Sequence, residues 1–150
     1  MNVPTRDRVL FLGLMLLLLS ASAALADSKT PRQSALETAR EAVRAAMLED
    51  EERAFEAYLE TVHPDRKATD EARRNIRRYS WQRFQRQYDH FIKDEDVTTL
   101  EVQRMLPETV SAETETFRLF FEAVGREGRL PAPISFRRHG DRWLIDVNSL

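Results

Sequence analysis

Apolar positions recur every three or four residues up to about residue 93 and then switch to alternation, with the change near Asp94 to Asp96. The first half therefore reads as helices and the second as strands. Thr30-Pro31-Arg32-Gln33 supplies an N-cap, a first-turn proline and a glutamine placed to reach back to the cap, so a helix should begin at Pro31. Leu36, Ala39, Val43, Ala46 and Met47 form its apolar stripe. A second helix begins at Asp50, carries Phe55, Tyr58, Leu59 and Val62 on one face, and ends at His63-Pro64, because the residue before a proline is pushed out of the helical region. A third, capped at Thr69 or Asp70, is predicted to reach about Lys93. Its apolar face rotates: at about 100° per residue, Ala72, Ile76 and Tyr79 fall on one side and Trp81, Phe84, Tyr88, Phe91 and Ile92 on another. One straight helix cannot bury both groups against a single surface, so the spacing predicts a kink or break near Tyr79-Ser80.

Beyond Asp96, Leu100, Val102 and Leu106 alternate with Glu101 and Gln103, and Phe117, Leu119, Phe121 and Ala123 alternate with Arg118 and Glu122. Ile134 and Phe136 follow at a spacing of two, and then Trp143, Ile145 and Val147 alternate with Leu144 and Asp146. Each run reads as a strand with one buried face. Gly125-Arg126-Glu127-Gly128 and His139-Gly140-Asp141 read as hairpin turns. Pro131 and Pro133 cannot donate to a ladder, which places the start of the third strand near Ala132. Residues 113–124 admit a second reading, a helix capped by Gly125, since Phe117, Phe120, Phe121 and Val124 also have helical spacing; the turn signals that follow favour the strand. The predicted class is α+β, with N-terminal helices packed on a curved four-stranded antiparallel sheet in meander order.

The leader changes the picture of where the chain works. Arg6 and Arg8, the apolar run Val9 to Leu19, and small residues at Ala24 and Ala26 before Asp27 form the pattern of a secretory signal peptide, with cleavage expected between Ala26 and Asp27. The alternative is an uncleaved anchor, because the uncharged stretch 9–26 approaches the about 20 residues of a spanning helix; its Ser- and Ala-rich end suits a cleavage region better. Residues 1–26 are thus read as the signal peptide and 27–150 as one exported domain, periplasmic or extracellular.

Composition narrows the rest. The chain has 23 Lys+Arg and 25 Asp+Glu, a net of −2, and without the leader's two Arg and one Asp the remainder is 21 against 24, or −3. Net charge gives no support to a polyanion-binding role. With no cysteine there is neither a disulfide framework nor a thiol nucleophile. No Asn-x-Ser/Thr triplet occurs.

Helices followed by an antiparallel meander that closes in Gly140-Asp141-Arg142-Trp143-Leu144-Ile145-Asp146 resemble the nuclear transport factor two-like superfamily, over most of residues 31–148. The resemblance implies a cone: a bent sheet wrapped around helices, with a pocket between its concave face and the longest helix. Its members include ketosteroid isomerase, related polyketide cyclases and many ligand-binding or structural domains. The catalytic aspartate and tyrosine of the isomerases have no match here at the level of a motif, so no catalytic role is carried over.

Candidate chemistry is sparse. Arginines 73, 74, 77, 78, 83 and 86, interleaved with Tyr79, Trp81 and Phe84, have the look of a single-stranded nucleic-acid surface. However, residues 65–86 carry a net +5 and residues 37–60 a net −5, so two neighbouring helical segments of opposite charge explain the arginines without nucleic acid. Anionic lipid headgroups are a better outside partner than nucleic acid for arginines left exposed. Asp94-Glu95-Asp96 lacks the alternation and glycine of a calcium loop, and His63, His90 and His139 lack metal-ligand spacing, so no metal or cofactor is expected. An isomerase-type site would need a carboxylate or imidazole acceptor and phenol donors, for which Asp146 or His90 and Tyr58, Tyr79 or Tyr88 are unspecific candidates; Asp146 is expected to face solvent opposite Trp143 and Ile145. The segment from Trp81 to Ile92 carries more large apolar residues than adhesion to a sheet requires. Tyr58, Trp81, Phe84, Tyr88, Phe91, Phe117, Phe121 and Trp143 are therefore the residues expected to line a cavity for a small apolar ligand. The expected role is non-catalytic binding of such a ligand or of an envelope protein partner. The alternatives are a cofactor-free isomerase or lyase, and a structural adaptor whose cone is filled by its own side chains.

Overall fold

The computed structural model of the chain describes residues 29–124 and 128–148. The expected signal peptide, its cleavage point and most of the Gly125–Gly128 turn lie outside the described residues. Helix α1 (Pro31–Ala46) opens with the anticipated capping box: the Thr30 hydroxyl accepts from the Gln33 N–H at 3.2 Å, and Gln33 Oε1 accepts from the Thr30 N–H at 3.0 Å. Its buried stripe is centred on Ala35, Thr38, Ala39, Ala42 and Val43, while Leu36, Ala46 and Met47 are only half-buried. Small side chains at the centre of that stripe let the helix approach its neighbours closely. Helix α2 (Glu51–Thr61), capped by Asp50, buries Phe55, Tyr58 and Leu59, with Val62 just past its end, and packs against α1.

The third segment departs from its expected length. It starts as α3 (Asp70–Asn75) with Thr69 as N-cap, passes through a π-helical turn over Ile76–Trp81, and finishes as α4 (Gln82–Gln85). It does not continue to Lys93: Gln87 breaks out of helical geometry, and Tyr88–Phe91 forms a separate 3-10 turn. The rotating apolar face explains both features. A turn closed by i→i+5 bonds takes more residues per revolution, so it reduces the rotation between Ile76 and Trp81. The break at Gln87 then re-aims Phe91 and Ile92 into the core, where both are buried.

Four antiparallel strands follow in the order β1 (Val102–Leu106), β2 (Thr116–Phe121), β3 (Ala132–His139) and β4 (Arg142–Asn148). Helices first and a β-meander second make this an α+β protein, and residues 116–121 are strand, not helix. Phe117, Leu119 and Phe121 from β2, Ile134 and Phe136 from β3, and Trp143 and Ile145 from β4 supply the sheet side of the core. The Val147 side chain lies outside the described residues. Leu144, on the opposite face of β4, is covered as well.

Irregularities in register fall between Val102 and Arg104 and between Ser135 and Phe136. Such bulges bend a strand and reverse its alternation, which bears on β1: Met105 packs against the core and Leu106, expected inside, is 51% exposed. The sheet is fastened to the helices from two directions. The Trp143 N–H donates to the buried Ser34 hydroxyl of α1 at 3.2 Å. On the outer side of β4, Val62 forms a parallel bridge with Ile145, and the His63 N–H donates to the Ile145 carbonyl at 2.8 Å. The β3–β4 turn is sharp, with Gly140 at φ +58°, a left-handed conformation that a side chain would strain.

Candidate functional site

The eight aromatic side chains expected to line a cavity are, with one exception, fully enclosed. Tyr58, Trp81 and Phe84 form one stack, with ring centroids 4.9 Å apart for Tyr58–Trp81, 5.2 Å for Tyr58–Phe84 and 6.4 Å for Trp81–Phe84. Phe117 packs edge-on against Trp143, with ring centroids 4.5 Å apart, and in a tilted arrangement against Phe136 at 5.9 Å. Phe121 and Phe91 are buried in the same core, and Tyr88 is half-buried at its margin. These residues hold helices to sheet, and their rings pack against one another.

Space is left beside that stack. An open cleft of about 390 Å³ lies between the π-helical turn and the far part of β4, lined by Tyr58, Val62, Arg66, Ala72, Asn75, Ile76, Tyr79, Ser80, Ile145 and Asp146. Its origin is local. The helical end at Val62 is pinned to Ile145, and Pro64–Arg66 forms a 3-10 turn beside it. The π turn, being wider than an α turn, stands across from them and presents Ile76, Tyr79 and Ser80 as the opposite wall. Of the eight aromatics, Tyr58 is the one that reaches this cleft; Tyr79, at 62% exposure, forms its rim.

The polar end of the cleft is an ion-pair cluster. Asp146 does not face solvent as expected: its side chain is 9% exposed and accepts from Arg66 twice, Nε to Oδ1 at 2.8 Å and Nη2 to Oδ2 at 3.3 Å, with Arg137 Nε 3.5 Å from Oδ1. The register irregularity of β4 leaves Asp146 without a partner on β3, and the neighbouring turn brings Arg66 onto its carboxylate. Arg137 also donates to Asp65 at 3.1 Å. Burial pushes the Asp146 carboxyl toward its protonated form; the hydrogen bonds from Arg66 and the charges of Arg66 and Arg137 outweigh it and hold the group below the usual carboxylate range. The same pairing holds the Arg66 proton more firmly than usual.

Behind the pair lies His63, buried, whose Nδ1 accepts from the Asp65 N–H at 3.3 Å while Nε2 lies 3.3 Å from the Arg138 carbonyl. His139 meets the His63 ring edge-on at 5.5 Å. His90 sits elsewhere: its Nδ1 contacts Arg129 and its carbonyl accepts from the Val124 N–H. The acceptors considered for proton transfer, Asp146 and His90, thus belong to separate neighbourhoods. Among the described residues no three His, Asp or Glu side chains converge to hold a metal ion, and no helix is long and apolar enough to cross a membrane.

The arginine-rich segment divides by partner. Arg73 and Arg77 pair with Glu56 and Glu52 of α2, as the opposite charges of the two segments implied. Arg74, Arg78, Arg83 and Arg86 are exposed and form no ion pair among the described residues. Sequence reasoning missed the cleft because it followed large aromatics; Ala72, Asn75, Ser80 and Arg66 carry no pattern that marks a wall. Comparison of the chain with protein-family models, curated proteins and solved structures finds no match.

Proposed function

We propose that this chain is an exported, non-catalytic ligand-binding domain of nuclear transport factor two-like type, and that its site is the cleft between the π-helical turn and β4. The observation that carries the reading is the cleft's composition. Val62, Ile76, Tyr79 and Ile145 offer apolar surface, with Asn75, Ser80 and a half-exposed Arg66 as donors among the lining residues. A mostly apolar concavity with a few converging polar groups is the usual form of a small-molecule site. A π turn in its wall is consistent with that use, since such turns recur at functional sites. The ligand that fits is a small amphiphile with an apolar body and an acceptor directed at Arg66.

An isomerase would need a proton acceptor in the same cleft. Asp146 is the carboxylate present, and a carboxylate held ionised by two arginines has low proton affinity, whereas a general base works best with a proton affinity near the operating pH. Binding without turnover is the better-supported role. The test is thermal unfolding against a panel of fatty acids, sterols and aromatic carboxylates, with Ala72→Leu as a variant that narrows the cleft. At a ligand concentration 100 times Kd, stabilisation should be about 2.7 kcal/mol. The shift should shrink in the variant. A panel that stabilises nothing would favour the adaptor reading, and a shift unaffected by Ala72→Leu would move the site elsewhere.

A further inference from the structure

Four arginines along one segment face water without an acidic partner among the described residues, on a chain whose overall charge is −2. Arg74, Arg78 and Arg86, with Gln82 between the last two, are each four residues apart and all exposed. In an unbroken α-helix, residues four apart are neighbours, but at about 100° per residue their row drifts by about 40° at each step. The π turn lies inside this row, and its larger number of residues per revolution cancels part of the drift. The result is one straight ridge. Arg83 and Tyr79 flank it, and the Arg78 guanidinium lies over the Tyr79 ring at 5.5 Å. The nearest acids along the chain, Asp70, Glu71 and Asp89, stand at the two ends of the segment.

We propose that this ridge is a docking surface for a bilayer carrying anionic phospholipid, which the domain meets with Arg74, Arg78, Arg83 and Arg86 against the headgroups and Tyr79 at the interface. Charge complementarity carries the choice of partner: a cluster of unpaired arginines is drawn to a negative lipid surface, and tyrosine is a residue that settles at the headgroup level. Single-stranded nucleic acid fits less well, because it needs a series of exposed rings for stacking. On this segment Trp81 and Phe84 are buried, leaving Tyr79 alone as the exposed ring. Docked in this way, the cleft would open beside the bilayer, since Tyr79 is at once part of its rim and part of the ridge. The docking surface stands or falls independently of the cleft's own ligand.

The test is co-sedimentation of the water-soluble chain released by its expressing host with vesicles of phosphatidylcholine alone or mixed with phosphatidylglycerol. Binding should require phosphatidylglycerol and should fall as salt is raised, because surface charges are screened. Arg78→Gln with Arg83→Gln should weaken it roughly twenty-five-fold, at about fivefold per arginine. Removing the same charge from the sheet, by Arg104→Gln with Arg118→Gln, should leave vesicle binding at the wild-type level. Circular dichroism of both pairs should be unchanged, as all four side chains are exposed. Absence of binding to phosphatidylglycerol vesicles at low salt would overturn the proposal. So would equal losses in the two double variants, which would reduce the effect to net charge, or tighter binding of a single-stranded oligonucleotide than of the vesicles.

Discussion

Replacing Asp146 by asparagine removes one charge from the end of the cleft and keeps the side-chain shape. In the native chain the carboxylate is 9% exposed and compensates both Arg66, at 2.8 and 3.3 Å, and Arg137, at 3.5 Å. Taking one partner from a fully buried ion pair costs about 3–5 kcal/mol, since the other charge is left dry. Here the arginine side chains are 45% and 34% exposed, so water recovers much of their solvation, and a loss of about 1–2 kcal/mol is expected. Urea unfolding, followed through the buried Trp81 and Trp143, should show a midpoint about 0.5–1 M lower with an unchanged slope. The sign with pH is determined. The folded-state proton affinity of Asp146 is lowered, so its contribution is complete above the unfolded-state value of about 3.9 and is lost as pH falls through the lower folded value. The gap between wild type and Asp146→Asn should therefore be constant from pH 7 to about 5 and close in strong acid. A gap below about 0.3 kcal/mol at pH 7, or one that persists undiminished at about pH 2.5, would refute the argument that the pair stabilises this end of the sheet.

Other expectations follow from burial and geometry. Trp143→Ala should destabilise by about 3–5 kcal/mol, because the ring is packed edge-on to Phe117 and enclosed in the core; equilibrium unfolding measures it. Trp81→Phe should lose less than its lost volume implies, since the indole N–H is buried without a hydrogen-bond partner among the described residues and phenylalanine relieves that desolvation of about 1–3 kcal/mol; the same unfolding assay against Phe84→Leu makes the comparison. Thr30→Ala should cost about 1 kcal/mol through loss of the capping box, visible as faster hydrogen exchange over the first turn of α1. Gly140→Ala should destabilise by about 1 kcal/mol from backbone strain alone, because nothing lies within 4 Å of the added methyl; a lower melting temperature with unchanged spectra checks it.

Elements whose signals are local were legible in the sequence. The capping box at Thr30, the stop near His63-Pro64, the alternation around Phe117, the strand through Trp143 and the turn at Gly140 each act within a few residues, and the structure has all of them, although Leu144 is buried along with Trp143 and Ile145. The rotated apolar face between Ile76 and Trp81 announced an irregularity, although spacing alone could not distinguish a kink from a π turn. What was hidden depends on contacts distant in sequence. Asp146 is neutralised by Arg66, 80 residues earlier, and no pattern along β4 indicates that a basic turn will cover it. Leu106 was misplaced because a bulge at Gln103 reverses an otherwise clean alternation. The cleft escaped notice for a related reason: its wall mixes apolar residues that the periodicity assigns to packing, such as Val62, Ile76 and Ile145, with small and polar ones that carry no signal.

The pairing of Val62 and His63 with Ile145 has a consequence for how the sheet meets other chains. An open sheet has two outer strands, each with free backbone donors and acceptors that invite strand addition. In this protein the middle of the β4 edge is already occupied by the chain leaving α2, and the ion pair of Arg66 with Asp146 sits beside it. The β1 edge is blunted less, by the Arg32 guanidinium donating to the Val102 carbonyl at 3.1 Å. Edge-to-edge growth needs both ends of every sheet; with the middle of one end occupied at Ile145, strand addition is directed to the β1 edge, where pairing of two copies closes on itself and does not favour open-ended growth.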